Sequence, residues 1–280
     1  MLADAIAAES YKLLRNHGLL FWGFCFAPLA NLLFNLSTET WLFLHGTGAA
    51  LRLAQAQGSR IDLGQQLMQG LSTSTSFFFE IFVIAGAAAL FASEYRWETW
   101  RLVVPRNSRI NLLLAKFAVF AMAASVDILA FGIFAALSAL YGALLNGLSP
   151  AGFAISIPGA VGVFLGALAE LLLLGALAAL IATVSRAQMT ALIGGIFFVI
   201  AQAIGMGIVH PWEAPLQDFA YLPAMSAYLL RAWAAGQQIG PGIFADPAQV
   251  LPACLFLLVW IGTLAGLAIA VFQQQDLSRE

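Results

Sequence analysis

The sequence predicts an all-α integral membrane protein, a bundle of six transmembrane helices, on three observations. Of the 280 residues, 61% are hydrophobic and only 9% charged, with mean hydropathy +0.89. Soluble domains average about 25% charged residues, and so little polar surface could not cover so much apolar side chain. Six apolar stretches reach the roughly 20 residues that a bilayer demands. Lys and Arg gather on alternate connections between those stretches.

Residues 1–17 come first. At helical spacing Leu2, Ile6, Leu13 and Leu14 share one face, with Asp4, Lys12 and Arg15 opposite and Glu9 and Asn16 at the border. Such an amphipathic helix is expected to lie along the membrane surface. Asp4 and Glu9 interrupt any basic leader and no A-x-A site stands at the end of the first apolar run, so a cleaved signal peptide is not expected. The predicted spans are 19–37, 71–93, 112–141, 158–184, 189–209 and 251–272, the third long enough to tilt or protrude. The connection 38–70 carries Gly46, Gly48 and Gly58. In the connection 210–250, Phe219–Trp233 is apolar but interrupted by Pro223 and Arg231 and too short to cross, which predicts a re-entrant or interfacial helix. With no linker, repeat or low-complexity tract, residues 1–280 read as a single membrane domain.

Placing the N-terminus in the cytoplasm puts Lys12, Arg15, Arg96, Arg101, Arg106, Arg109, Lys116, Arg186 and Arg279 inside, and only Arg52, Arg60 and Arg231 outside. The positive-inside rule selects that orientation, and six spans return the C-terminus to the cytoplasmic face of the plasma membrane.

Several function classes are excluded. A net charge of −2 carries no nucleic-acid signature. A phosphate-binding loop needs Gly-x-x-x-x-Gly-Lys followed by Ser or Thr, whereas Lys12 precedes Leu13 and Lys116 precedes Phe117. The histidines, His17, His45 and His210, fall near membrane surfaces or in connections, where no two can clasp a haem within the bundle. Cys25 and Cys254 read as small apolar residues too far apart to pair. With no metal-ligand cluster, zincin motif or nucleophile elbow, neither an enzyme nor a metal or cofactor site is expected in this chain. Energy for any transport must come from a partner or an ion gradient.

Three carboxylates fall near mid-span: Glu80, Asp127 and Glu170. Each costs at least about 2.5–3.5 kcal/mol at the bilayer centre. No Lys or Arg is expected at similar depth. Ser72 and Ser76 stand at i, i+4 spacing with Glu80, Thr73 less closely, so the second span is expected to carry a polar stripe. Ser72, Ser76, Glu80, Asp127 and Glu170 are therefore the candidate pathway residues; the alternative is acids satisfied by neighbouring hydroxyls or backbone. Gly194, Gly195, Gly205 and Gly207 allow close backbone approach in the fifth span, within one chain or between two.

The connection between the second and third spans is the most informative. From Glu94 to Arg101 charges alternate around Trp97 and Trp100, and a short helix should end before Pro105. The tryptophans would seat it at headgroup level and leave its charges for a partner. Glu94-Tyr95, Thr99, Leu102-Val103-Val104, Pro105, Ser108-Arg109 and Lys116 together resemble the corresponding loop of type-2 ABC transporter permeases, although Glu98 stands where that family usually has Gly. The similarity of layout extends over the whole chain, from Glu9 and Lys12 to the tail Phe272–Leu277. It implies that the loop is a coupling helix docking on a separate ATP-binding subunit through Glu94, Tyr95, Arg96, Trp97, Thr99, Trp100, Arg101 and Arg109. It further implies a second permease copy or paralogue, with the first and fifth spans at the dimer interface, surrounding lipid, ATP and magnesium held by the partner subunit, and export as the direction. An ion-coupled transporter using Glu80, Asp127 and Glu170 is the first alternative, although the inverted repeats usual there are absent. A membrane enzyme is the second, without a catalytic constellation to support it.

Overall fold

A computed structural model describes residues 2–45, 62–96, 108–147, 152–209 and 216–275. Six helices are long and apolar enough to cross a membrane, so the chain is a helical multi-pass membrane protein. In chain order the elements are α1 (Leu2–Arg15), α2 (His17–Leu44, with a π-helical turn at Phe21–Cys25), α3 (Leu63–Thr73), α4 (Phe77–Arg96) and α5 (Arg109–Leu145). They continue with α6 (Ile157–Ser185), α7 (Gln188–Ile208), α8 (Leu216–Tyr221), α9 (Pro223–Ala235), β1 (Gln238–Gly240), β2 (Ile243–Phe244) and α10 (Pro247–Gln274). The two short strands form an antiparallel hairpin, a small departure from an all-helical chain.

The helix starts follow from local chemistry. Ser108 caps α5 through Asn111 N at 3.3 Å, Ser156 caps α6 through Gly159 N at 3.2 Å, and Asp246 caps α10 through Ala248 N at 2.9 Å. Each side-chain oxygen satisfies an amide that the first turn leaves unpaired. Prolines at the first turns of α6, α9 and α10 cost nothing there, because no intrahelical bond uses their missing N–H.

Two boundaries differ from expectation: the first membrane helix runs on to Leu44 rather than ending at 37, and the second starts late. The second membrane helix begins at Phe77, not near 71, because the chain breaks at Ser74–Ser76 into α3 and α4. Thr73, Ser74 and Thr75 turn their hydroxyls back onto the carbonyls of Gln69, Leu71 and Ser72. That competition with the backbone ladder makes a hydroxyl run a poor helix interior. Ser72, Ser76 and Glu80 consequently do not form one continuous helical stripe.

Helix α6 is the hub, packing against α4, α5, α7, α9 and α10. Its Ala167, Ala178, Ala179 and Ala182 are fully buried, and the small side chains let neighbouring backbones close in. Glycines do the same elsewhere: a Cβ on Gly23 would stand 2.7 Å from Gly86 Cα where α2 meets α4. In α7, Cβ atoms on Gly194, Gly195 and Gly205 would meet Ile181, Ile84 and Leu222 of the same chain, whereas Gly207 is open. Three of those four glycines thus serve packing within the subunit.

Candidate functional site

The end of the bundle that carries α1 is held by a buried network of ions. Lys116, two turns into α5, is only 1% exposed, and its Nζ lies 2.5 Å from Glu94 of α4 and 3.2 Å from Glu9 of α1. It also donates to the Leu90 carbonyl at 2.8 Å. Lys12 closes the ring, 2.5 Å from Glu9 and 3.2 Å from Glu94, while Ser93 Oγ donates to Glu94 at 2.7 Å. Two lysines and two glutamates balance in charge, and the added hydrogen bonds supply the satisfaction that a buried ion cluster needs. Burial works against the Lys12 charge, but the hydrogen bond to Glu9 and the fields of Glu94 and Glu9 outweigh it and hold the ammonium above its ordinary range.

A second set of contacts ties the chain's tail to the same place. Arg109 Nη1 donates to the carbonyls of Phe272, Gln273 and Gln275 at 3.2, 2.9 and 2.6 Å. Helix ends leave such carbonyls unpaired, and a cation there also complements the helix dipole. Tyr95 OH donates to Gln275 Oε1 at 2.8 Å, and Gln275 Nε2 donates to the Thr183 carbonyl of α6 at 2.5 Å.

Glu94, Tyr95, Arg109 and Lys116 therefore hold the chain on both sides of residues 97–107 to α1, α6 and α10. Glu94 was expected to reach outward to a partner; it is 4% exposed and saturated from within, because lysines from two other helices converge on it. Trp97, Thr99, Trp100 and Arg101 lie outside the described residues, as does the side chain of Arg96, although Arg96 itself closes α4.

The mid-span acids separate into distinct environments. Contrary to expectation, Glu170 has a basic partner: Arg231 of α9, itself buried, forms a hydrogen-bonded ion pair with it. The positive-inside count had assigned Arg231 to an outer connection. Its helix instead packs between α6 and α10 and buries the guanidinium. Glu80 of α4 is buried as well. Asp127 stands apart on α5, 1% exposed, with neither oxygen partnered among the described residues.

Towards the other end of the bundle, α2, α3 and α5 enclose a cavity of about 350 Å³. Asn31, Asn35 and Glu39 line it from α2, and Gln66, Gln69 and Thr73 from α3. Glu39 presses against α5 so closely that a Cβ on Gly142 would stand 2.6 Å from its Oε2. These residues were not among the sequence candidates. Their signal was present, since Asn31, Asn35 and Glu39 recur every four residues and share one helical face. Thr73 reaches this cavity from α3, while Glu80 sits beyond the break in α4. Among the described residues, no group of three or more His, Cys, Asp or Glu could hold a metal ion.

No family model, curated protein or solved structure matches the chain.

Proposed function

We propose that the chain is the membrane-spanning permease subunit of an ATP-driven ABC exporter. It works beside a second copy or a paralogue, with both termini on the cytoplasmic side of the plasma membrane and a separate ATP-binding subunit docked on residues 97–107. The observation that carries this reading is the way the flanks of that loop are anchored. A loop that transmits force must not hinge at its roots, and these roots are fixed by the Glu9–Lys12–Glu94–Lys116 network and by Arg109 on the end of α10. Coupling also requires an element with two discrete arrangements that both sites can bias. Helix α5 fits that role. Its 37 residues make a rod about 55 Å long at about 1.5 Å per residue. One end carries the loop, and the far end forms a wall of the polar cavity at Ser138 and Gly142. On this reading α1 lies along the inner membrane surface, α9 is re-entrant from the outer side, and the polar cavity belongs to the transport pathway.

The test is to replace residues 97–104 with a Gly-Ser segment of equal length. The subunit should still fold and assemble, but ATP hydrolysis should no longer drive transport. Transport at the unaltered rate would overturn the coupling role.

Ion-coupled transport draws on a specific observation too, the membrane-buried Glu80, Glu170 and Arg231. It predicts substrate movement driven by a proton gradient without nucleotide, in liposomes containing this chain alone.

A further inference from the structure

A second cavity, of about 530 Å³, runs between α1, α2 and α5. Its α5 wall is the stripe Val119, Ala123, Val126, Asp127, Ala130 and Phe134, one face of the helix at three- and four-residue spacing. That wall extends about 22 Å at about 1.5 Å per residue, with Asp127 near its middle. Leu13 and Leu14 of α1 close one end, and Pro28 and Leu29 of α2 contribute the facing side. Exposed Val126, Met122 and Leu14 at its rim leave the cleft open from the side of the bundle, where acyl chains lie in a bilayer.

Two independent observations distinguish this cleft from a lipid-filled groove. The first is Asp127, an almost fully buried carboxyl whose two oxygens have no partner among the described residues. A buried polar group without a hydrogen bond is costly, and a carboxyl in hydrocarbon more so. The second is the turn of α2 facing it. Phe21–Cys25 is π-helical, with Phe26 N–H bonding back five residues to the Phe21 carbonyl, and Pro28 removes the N–H that would ordinarily serve the Phe24 carbonyl. Such wide turns interrupt α-helices frequently at functional sites. Phe24 and Cys25 from this turn line the same cleft as Asp127.

The chemistry of the walls selects the guest. All but a few lining side chains are apolar, so a hydrated ion or a sugar would lose its water without replacement. A guest with one donor group set between apolar parts would satisfy Asp127 and fill the rest. A cation fits best, because the buried cations Lys116 and Arg231 are already engaged, the first with Glu9 and Glu94 and the second with Glu170.

We propose that the cleft between α1, α2 and α5 binds a lipid-soluble amine, which enters from the bilayer and sets its ammonium against the Asp127 carboxylate. The site requires no nucleotide and no ATPase, so it stands or falls separately from the ABC reading.

The test uses the full chain in liposomes and a long-chain alkylamine bearing a photoreactive diazirine. Labelling should fall on peptides containing Cys25 and Met122. Dodecylamine should compete about tenfold better than laurate or dodecyltrimethylammonium at equal mole fraction in the bilayer, since one lacks the positive charge and the other the donor. Asp127→Asn, nearly isosteric, should erase that preference, and Ala123→Leu should reduce labelling by filling the cleft while leaving Asp127 in place. Equal competition by laurate, or an unchanged order in Asp127→Asn, would overturn the proposal. So would label absent from these peptides together with spontaneous dimer cross-linking through Val126→Cys, which would assign the cleft to a second copy of the chain.

Discussion

Replacing Lys116 with Met keeps the length of the side chain and removes its charge from the centre of the buried network. Glu94 then loses its 2.5 Å partner and keeps only Lys12 at 3.2 Å and the Ser93 hydroxyl, while the Leu90 carbonyl loses one of its donors. Removing one member of a buried ion pair typically costs about 3–5 kcal/mol, because the abandoned charge stays out of water. Lys116 is 1% exposed, so water cannot compensate in place, and the upper half of that range applies. Glu94→Leu alone should cost a similar amount by stranding Lys116. The double substitution Lys116→Met/Glu94→Leu removes both charges and should cost at least about 2 kcal/mol less than the sum of the singles. Tryptophan fluorescence during unfolding in mixed detergent micelles measures all four proteins. Singles that each cost under about 1 kcal/mol and add without coupling would refute the network as the anchor of the loop.

Other outcomes follow from the remaining contacts. Arg231→Met should destabilise the protein by about 3–5 kcal/mol by stranding Glu170, and the swap Glu170→Arg/Arg231→Glu should restore part of it in the same unfolding assay. Arg109→Ala frees the end of α10 and should cost about 1–2 kcal/mol, with faster hydrogen exchange confined to residues near Phe272–Gln275. Reporter fusions at Asn107, Arg186 and the C-terminus should report cytoplasm, and those near Gly58, Asn146 and Gly236 the opposite side; a C-terminal reporter outside would break the six-span topology.

The six membrane helices were legible because about 20 apolar residues in sequence are a local signal that needs no knowledge of tertiary contacts. The caps at Ser108, Ser156 and Asp246 are local features too, but hydropathy does not register them. The break at Ser74–Ser76 was legible in principle, since it falls in five consecutive hydroxyl residues that compete with the helix, but hydropathy alone passes over it. What the sequence could not place was pairing at a distance. Lys116 and Glu9 are far apart along the chain, and only the packing of α1 on α5 brings them together. Arg231 illustrates the opposite error. Counted as a loop cation, it is buried because α9 folds back against α6 and delivers it to Glu170. Glu94 and Arg109 stood out in sequence as charges awaiting a partner, and the partners they have are in the same chain.

The claim that this chain is driven by a separate ATP-binding subunit is tested most directly by purification. The intact chain, tagged at the C-terminus and extracted from its native membrane in mild detergent, should carry a P-loop ATPase in a fixed ratio, identified by mass spectrometry. Vanadate-sensitive hydrolysis should accompany it and be lost when residues 97–104 are replaced. A chain that purifies without any nucleotide-binding partner, and moves substrate in liposomes without ATP, would contradict the account.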